Sequence, residues 1–181
     1  MNKQMQKILW VDLEMTGLDP QQDRIVEVGA IITDWQFTEF ATFESGVGQD
    51  AAEVARLLDA NEWYAALPEN KQAMQSHAEN SPAEKQVVQQ LLQFLGEHFA
   101  ADEKIILAGN SIHQDRRFIR QWWPELDARL HYRMLDVSAW KVLMMGKFGI
   151  EYKKSEAHRA LGDIRESIEE LQFYLNYFGK E

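Results

Sequence analysis

Two hydrophobic rhythms divide the chain near residue 50. Before it, apolar residues come in short runs bounded by turn-formers, the pattern of strands. Beyond it they mostly recur at every third or fourth position, the pattern of helices. KILWVDLE, 7–14, predicts a first strand. RIVEVGAIITD, 24–34, predicts a second, with GLDPQQD as the turn before it, and FTEFATFES, 37–45, a third. Three such runs in close succession predict an antiparallel meander. Residues 50–60 predict a helix, whereas YAALPENKQAMQSH follows neither rhythm. SPAEKQVVQQLLQFLGEHF predicts a helix with Ser81 as N-cap, Pro82 in first position and Glu84 completing a capping box, and with Val88, Leu91, Leu92 and Leu95 at helical spacing. KIILAG, 104–109, and YRMLD, 132–136, predict two further strands. HQDRRFIRQWW lies between them as a helix stopped by Pro124. A helix near 137–147 follows. The last, 157–178, carries Leu161, Ile164, Ile168, Leu171, Leu175 and Phe178 on one side. Three strands followed by alternating helices and strands predict an α/β domain around a mixed sheet. No internal repeat, low-complexity tract or linker divides it.

The first strand contains an anomaly. Asp12 and Glu14 interrupt a run built for burial, and period-two alternation turns both to the same side. Unpaired carboxylates are costly to bury. A strand end in a mostly polar protein often carries acids, so the pair alone decides little. Two later stretches add to it. In LAGNSIHQDRRF, Asp115 opens a helix, where an acid is equally explained by the helix dipole. In HRALGDIRES, His158 and Asp163 are five positions apart, about 140° on a continuous helix, so they share a site only if His158 stands at the helix start or in the loop before it. Asp163 borders the apolar stripe beside Gly162 instead of lying opposite it.

Composition narrows the chemistry these acids would serve. The net charge is −10, which argues against a protein that grips long duplexes through many phosphate contacts. It leaves room for a nucleic-acid enzyme with a few local cations and bound metal. No Cys is present, so disulfides and thiolate metal sites are excluded. No apolar run approaches a membrane span. Met1 to Lys7 lacks the core of a signal peptide and is not an Arg-rich transit start, so a cytoplasmic location is the expectation. Four carboxylates without Cys form a hard, oxygen-rich donor set suited to Mg²⁺ or Mn²⁺. Two such ions can clamp a phosphoryl group and activate water, and a histidine titrating near neutrality is a natural base for that water.

DLEMTGL, NSIHQDRRF, HYRMLDVS and HRALGDIRES, in this order and spacing, resemble the oligoribonuclease family of DEDDh-type 3′–5′ exonucleases, over nearly the whole chain. The wider group includes ribonuclease T and the proofreading exonuclease subunits of DNA polymerases. The resemblance implies a ribonuclease H-like fold, with a mixed five-stranded sheet flanked by helices in one domain over 1–181. It implies a homodimer and hydrolysis of very short single-stranded RNA, dinucleotides especially, to 5′-mononucleotides. By the same resemblance Asp12, Glu14, Asp115 and Asp163 hold two divalent ions and His158 is the general base. Leu18 matches a wedge between two bases and Trp63 a base-stacking platform. Ser111, Arg133 and Ser138 match a cap on the 5′ phosphate, and Tyr132 matches a tyrosine that reaches across the dimer. One departure stands out: Pro68 occupies the position where the family usually carries a histidine near that phosphate, and His77 is a nearby histidine whose role the sequence leaves open. The competing readings are the same chemistry on the 3′ ends of longer RNA or DNA, and a non-catalytic nucleotide-binding module. The filled positions of all four acids and the histidine weigh against the module.

Overall fold

The computed structural model describes residues 7–153 and 160–178. Its centre is one sheet in the order β3-β2-β1-β4-β5, with β1 Ile8–Met15, β2 Ile25–Thr33, β3 Glu39–Gly46, β4 Ile105–Gly109 and β5 Leu130–Asp136. The first three strands form the expected antiparallel meander, and β4 and β5 join in parallel, which makes the sheet mixed. β1 is central and covered on both faces. That is why Ile8, Leu9, Trp10 and Val11 are all buried, in a continuous apolar run where a one-sided strand would alternate.

Two helical layers cover the faces. Ile8 and Trp10 pack with Ile31, Ile106 and Ala108 against Ile164, Ile168 and Leu171 of the last helix, α8, Ala160–Phe178. Leu9, Val11 and Leu13 face the other way, onto Val87, Leu91 and Leu95 of α4, Glu84–His98, and onto Phe118 and Ile119 of α5, His113–Trp122. Each such side chain contributes roughly 1.5–3 kcal/mol when fully buried. The buried Trp10 indole N–H is satisfied by Thr33 Oγ1 at 2.9 Å. A third cluster joins Val26 to Val54 and Leu58 of α1, Ala51–Ala60, Tyr64 of α2, Glu62–Ala65, and Met74 and Ala78 of α3, Pro68–Asn80. The ambiguous stretch is therefore helical, with Pro68 at the start of α3, where its fixed φ suits a first turn.

Three sequence expectations are corrected. Ser81 does not cap α4. It closes α3, its N–H donating to His77 O at 3.1 Å, and α4 begins only at Glu84. The reason is a bridge between Gly48 and Ala83, with Gly48 N–H on Pro82 O at 2.8 Å, which holds residues 82 and 83 extended. Glu84 turns away from the cap and accepts the Trp123 indole N–H at 3.0 Å. Pro124 does more than stop α5: it opens the single turn α6, Pro124–Asp127. The helix expected over 137–147 is α7, Val137–Leu143, followed by a π-helical turn, Met144–Phe148, that ends on left-handed Gly149 at φ 67°. No helix among the described residues is long and apolar enough to cross a membrane.

Candidate active site

The site is built at the C-terminal end of β1. Even-numbered residues of β1 face α8, so Asp12 and Glu14 continue the row of Ile8 and Trp10 and meet the helix that carries Asp163. A glycine makes this approach close enough. Gly29 pairs with Asp12 across the β1–β2 ladder, and a Cβ on it would lie 2.8 Å from Ala160 Cβ. The missing side chain lets the first turn of α8 settle on β2. As a result Asp12, Glu14 and Asp163 bring carboxylate oxygens within 4.8 Å of one another.

Asp115 joins from the opposite layer. It is the third residue of α5 and is buried, and its Oδ1 accepts the Leu13 amide at 3.0 Å, which pins α5 to β1 between the two strand acids. Burial pushes Asp12 well above the usual carboxylate range, and the charges of Asp115, Glu14, Asp163 and Glu27 push it further. Glu14 is raised to about 7, first by burial and then by Glu27, Asp163 and Asp115. Asp115 is also raised to about 7 by burial, against the lowering effect of the Leu13 amide. Three carboxylates within 4.8 Å of one another, with the charge of Asp115 acting on Asp12 and Glu14, make a donor set that fits hard divalent cations. His158 lies outside the described residues.

Beside Glu14 opens a cleft of about 530 Å³ lined by Met15, Gly17, Leu18, Asn61, Trp63 and Tyr64. Leu18 and Trp63 stand out from its walls, 69% and 53% exposed, an unusual degree for such large apolar groups. The β1–β2 register slips between Glu14 and Met15, which frees the carbonyls beyond it from the ladder. Side chains take them: Tyr64 Oη donates to Met15 O at 2.6 Å, Asn61 Nδ2 to Thr16 O at 3.0 Å, and Gln114 Nε2 to Leu18 O at 2.9 Å. The strand segment after Glu14 thus fixes both walls of the cleft. The loop tip is tightened by Asp23, which accepts Thr16 Oγ1 and the Asp19 amide, both at 2.9 Å. Gly17 leaves room for that brace: a Cβ there would fall 2.5 Å from the Asp23 carboxylate and push it aside.

On the other side of β1, at the ends of β4 and β5, Ser111 and Ser138 place their hydroxyl oxygens 2.9 Å apart. Ser111 has left-handed backbone, φ 51°, a conformation that costs a non-glycine residue roughly 1–2 kcal/mol. Arg133 is exposed on β5 and shares with Leu135 the face that α8 covers, its guanidinium 4.9 Å from the Tyr132 ring centroid. Tyr132 is 71% exposed, so it is not the core residue its place on a strand allowed. His77 Nε2 lies 3.3 Å from Glu27 Oε2 on β2. That is the far side of β1 from Ser111 and Ser138, and His77 lies on the same helix α3 that Pro68 opens.

The RNase T exonuclease family model matches residues 9–171. The chain is 41% identical over 179 residues to an oligoribonuclease of Marinobacter nauticus, covering 96% of this chain and 97% of that one. It is 39% identical over 174 residues to an oligoribonuclease of Neisseria meningitidis serogroup B, covering 94% and 91%. The chain belongs to the oligoribonuclease family of exonucleases. Its fold is similar to exonuclease I of Methylocaldum szegediense, with a TM-score of 0.62 at 17% identity over 90% of this chain. It is also similar to E. coli exonuclease I in complex with a 5cy-dA13 oligonucleotide, with a TM-score of 0.61 at 14% identity over 96% of this chain. This is the ribonuclease H-like fold. The chain spans 39% and 43% of the length of those two structures.

Several residues that shape the site carry no signal of their own in the sequence. Asn61, Tyr64 and Gln114 act by hydrogen bonds to carbonyls distant in sequence. Asp136 has a weak signal, since Asp-Val-Ser at a strand end reads as a helix N-cap.

Proposed function

We propose that residues 1–181 form one exonuclease domain that hydrolyses short single-stranded oligoribonucleotides, dinucleotides above all, from the 3′ end to 5′-mononucleotides in the cytoplasm. The observation that carries this reading is the convergence of Asp12, Glu14 and Asp163, with Asp115 behind them, beside a cleft walled by Leu18 and Trp63. In this reading the four acids hold two divalent ions, Mg²⁺ or Mn²⁺. When bound, these ions offset charge on the scissile phosphate and make water a better nucleophile. His158 accepts the proton of the attacking water. The new P–O bond forms as the bond from phosphorus to the upstream O3′ breaks. This releases a 5′-mononucleotide and leaves a 3′-hydroxyl on the shortened chain. Leu18 and Trp63 hold the bases, by contacts that tolerate any sequence because every base has a π-face. Ser111, Ser138 and Arg133 hold the 5′ phosphate, where a guanidinium forms paired charge-assisted bonds.

The test is kcat/KM for a 5′-phosphorylated dinucleotide, a seven-nucleotide RNA and a twenty-nucleotide RNA. The dinucleotide should lead. A charged hydrogen bond contributes roughly 1.5–3 kcal/mol, so Arg133→Ala should cost the dinucleotide about ten- to a hundredfold and the seven-nucleotide RNA much less. Equal losses would make Arg133 a general source of phosphate attraction. A wild-type preference for the twenty-nucleotide RNA would overturn the substrate assignment.

We also propose a homodimer in which Tyr132 enters the neighbouring site. Its support is the exposure of Tyr132 on the open edge strand β5, which leaves the ring without the cover a core residue has. Asp115→Asn subunits mixed with Tyr132→Ala subunits should recover activity, because one site of each mixed dimer is then intact. No recovery, despite demonstrated subunit exchange, would count against action in trans.

A further inference from the structure

We propose that Asp136 is the positioning residue of the 5′-phosphate cap: its carboxylate fixes Ser111 and Ser138 relative to one another, and through them selects a 5′-phosphorylated substrate. This rests on the phosphate-cap reading above. Asp136 is the last residue of β5 and pairs with Gly109 at the end of β4. Ser138 follows β5 and Ser111 follows β4, so the two hydroxyls belong to separate connections, held in register by the hydrogen bonds between them and by a bridge that joins both. Asp136 is that bridge. Its Oδ1 accepts the Ser138 amide at 3.0 Å and the Ser111 amide at 3.1 Å, and its Oδ2 lies 3.2 Å from His113 Nδ1.

The hydroxyls are ordered by the same knot. Ser138 Oγ donates to Asn110 Oδ1, so it accepts from Ser111, whose amide also points to it at 2.9 Å. The pair forms one short chain of donors at the strand ends. In the proposed cap an anion accepts from these hydroxyls in place of Asn110 and Ser138.

Two features separate this role from helix capping. A cap needs only the bond to the Ser138 amide, and serine serves nearly as well as aspartate in that place. The bonds to Ser111 and His113 belong to a different connection and do nothing for α7. In addition, an acid beside an anion would ordinarily repel it, but both carboxylate oxygens here are turned onto N–H groups of the protein. These hydrogen bonds hold the loop in its left-handed turn, and their N–H dipoles offset the carboxylate charge.

The test compares kcat/KM for dinucleotides with and without a 5′ phosphate in the full chain with Mg²⁺. Asp136→Ser retains the helix cap but is too short to reach Ser111 and His113. It should lower the phosphorylated-to-unphosphorylated ratio about tenfold, with a melting temperature near that of the wild type. Asp136→Asn keeps the shared acceptor and should restore most of the ratio. Equal losses on the two substrates, leaving the ratio intact, would overturn the role of Asp136 alone. A wild-type ratio near one would overturn the phosphate cap itself, and the role of Asp136 with it.

Discussion

Asp163→Asn should lower turnover of a labelled dinucleotide by about three orders of magnitude while the protein stays folded. Asn fills the same space but removes one of three carboxylates whose oxygens lie within 4.8 Å of one another. A thousandfold loss corresponds to about 4 kcal/mol of transition-state stabilisation, a reasonable share for a ligand that places and charges the reacting groups. The same substitution relieves repulsion, because Asp163 raises the pKa of both Asp12 and Glu14. The metal-free variant should therefore melt higher than metal-free wild type at pH 8. Turnover within tenfold of wild type would remove Asp163 from the metal site.

Chelation should abolish hydrolysis, and added Mg²⁺ or Mn²⁺ should restore it. The chelated protein should also lose stability as pH rises. Glu14 and Asp115 are raised to about 7 in the folded state, and Asp12 is raised well above its ordinary value. In the unfolded chain these groups titrate near 4. Between those limits the folded state binds more protons, so the stability these three groups contribute is fully present below about pH 4 and is lost as pH rises through about 7. Each tenfold gain in a carboxylate's proton affinity on folding is worth about 1.4 kcal/mol, large against a total stability of roughly 5–15 kcal/mol. The melting temperature of EDTA-treated protein should fall from pH 5 to pH 8, and Mg²⁺ should raise it far more at pH 8 than at pH 5. Robust hydrolysis in excess EDTA, or a melting temperature that climbs over that range, would sink the cation-holding role of the acids.

The chain announces the acids more clearly than the scaffolding that sets them. Asp12 and Glu14 stand out because burial and charge conflict at the end of an apolar strand, and period two turns them together. Asp163 betrays itself by bordering the stripe of Ile164 and Ile168. The meander and the mixed sheet follow from the spacing of the apolar runs, the turn residues between them and the order of strands and helices. What the sequence conceals is set by contacts between distant residues. The bridge from Gly48 to Ala83 overrides a good capping box at Ser81. Gly29 reads as an ordinary strand glycine until α8 is laid over it. Asn61 and Tyr64 look like surface and core residues respectively, yet both hold carbonyls freed by a register slip that no local pattern encodes.

The strand order also acts as a ruler. Asp12 and Glu14 lie on β1 and the serine pair just beyond the ends of β4 and β5, one and two strands away. Strands are spaced about 4.8 Å apart by their backbone hydrogen bonds, so in the proposed reading the gap between cleavage point and 5′ stop is of the order of 5–10 Å. That gap is written into the main chain, not into any side chain. If the proposed stop sets the length of RNA the site prefers, side-chain changes there should blur that length, and resetting it would require adding or removing a strand.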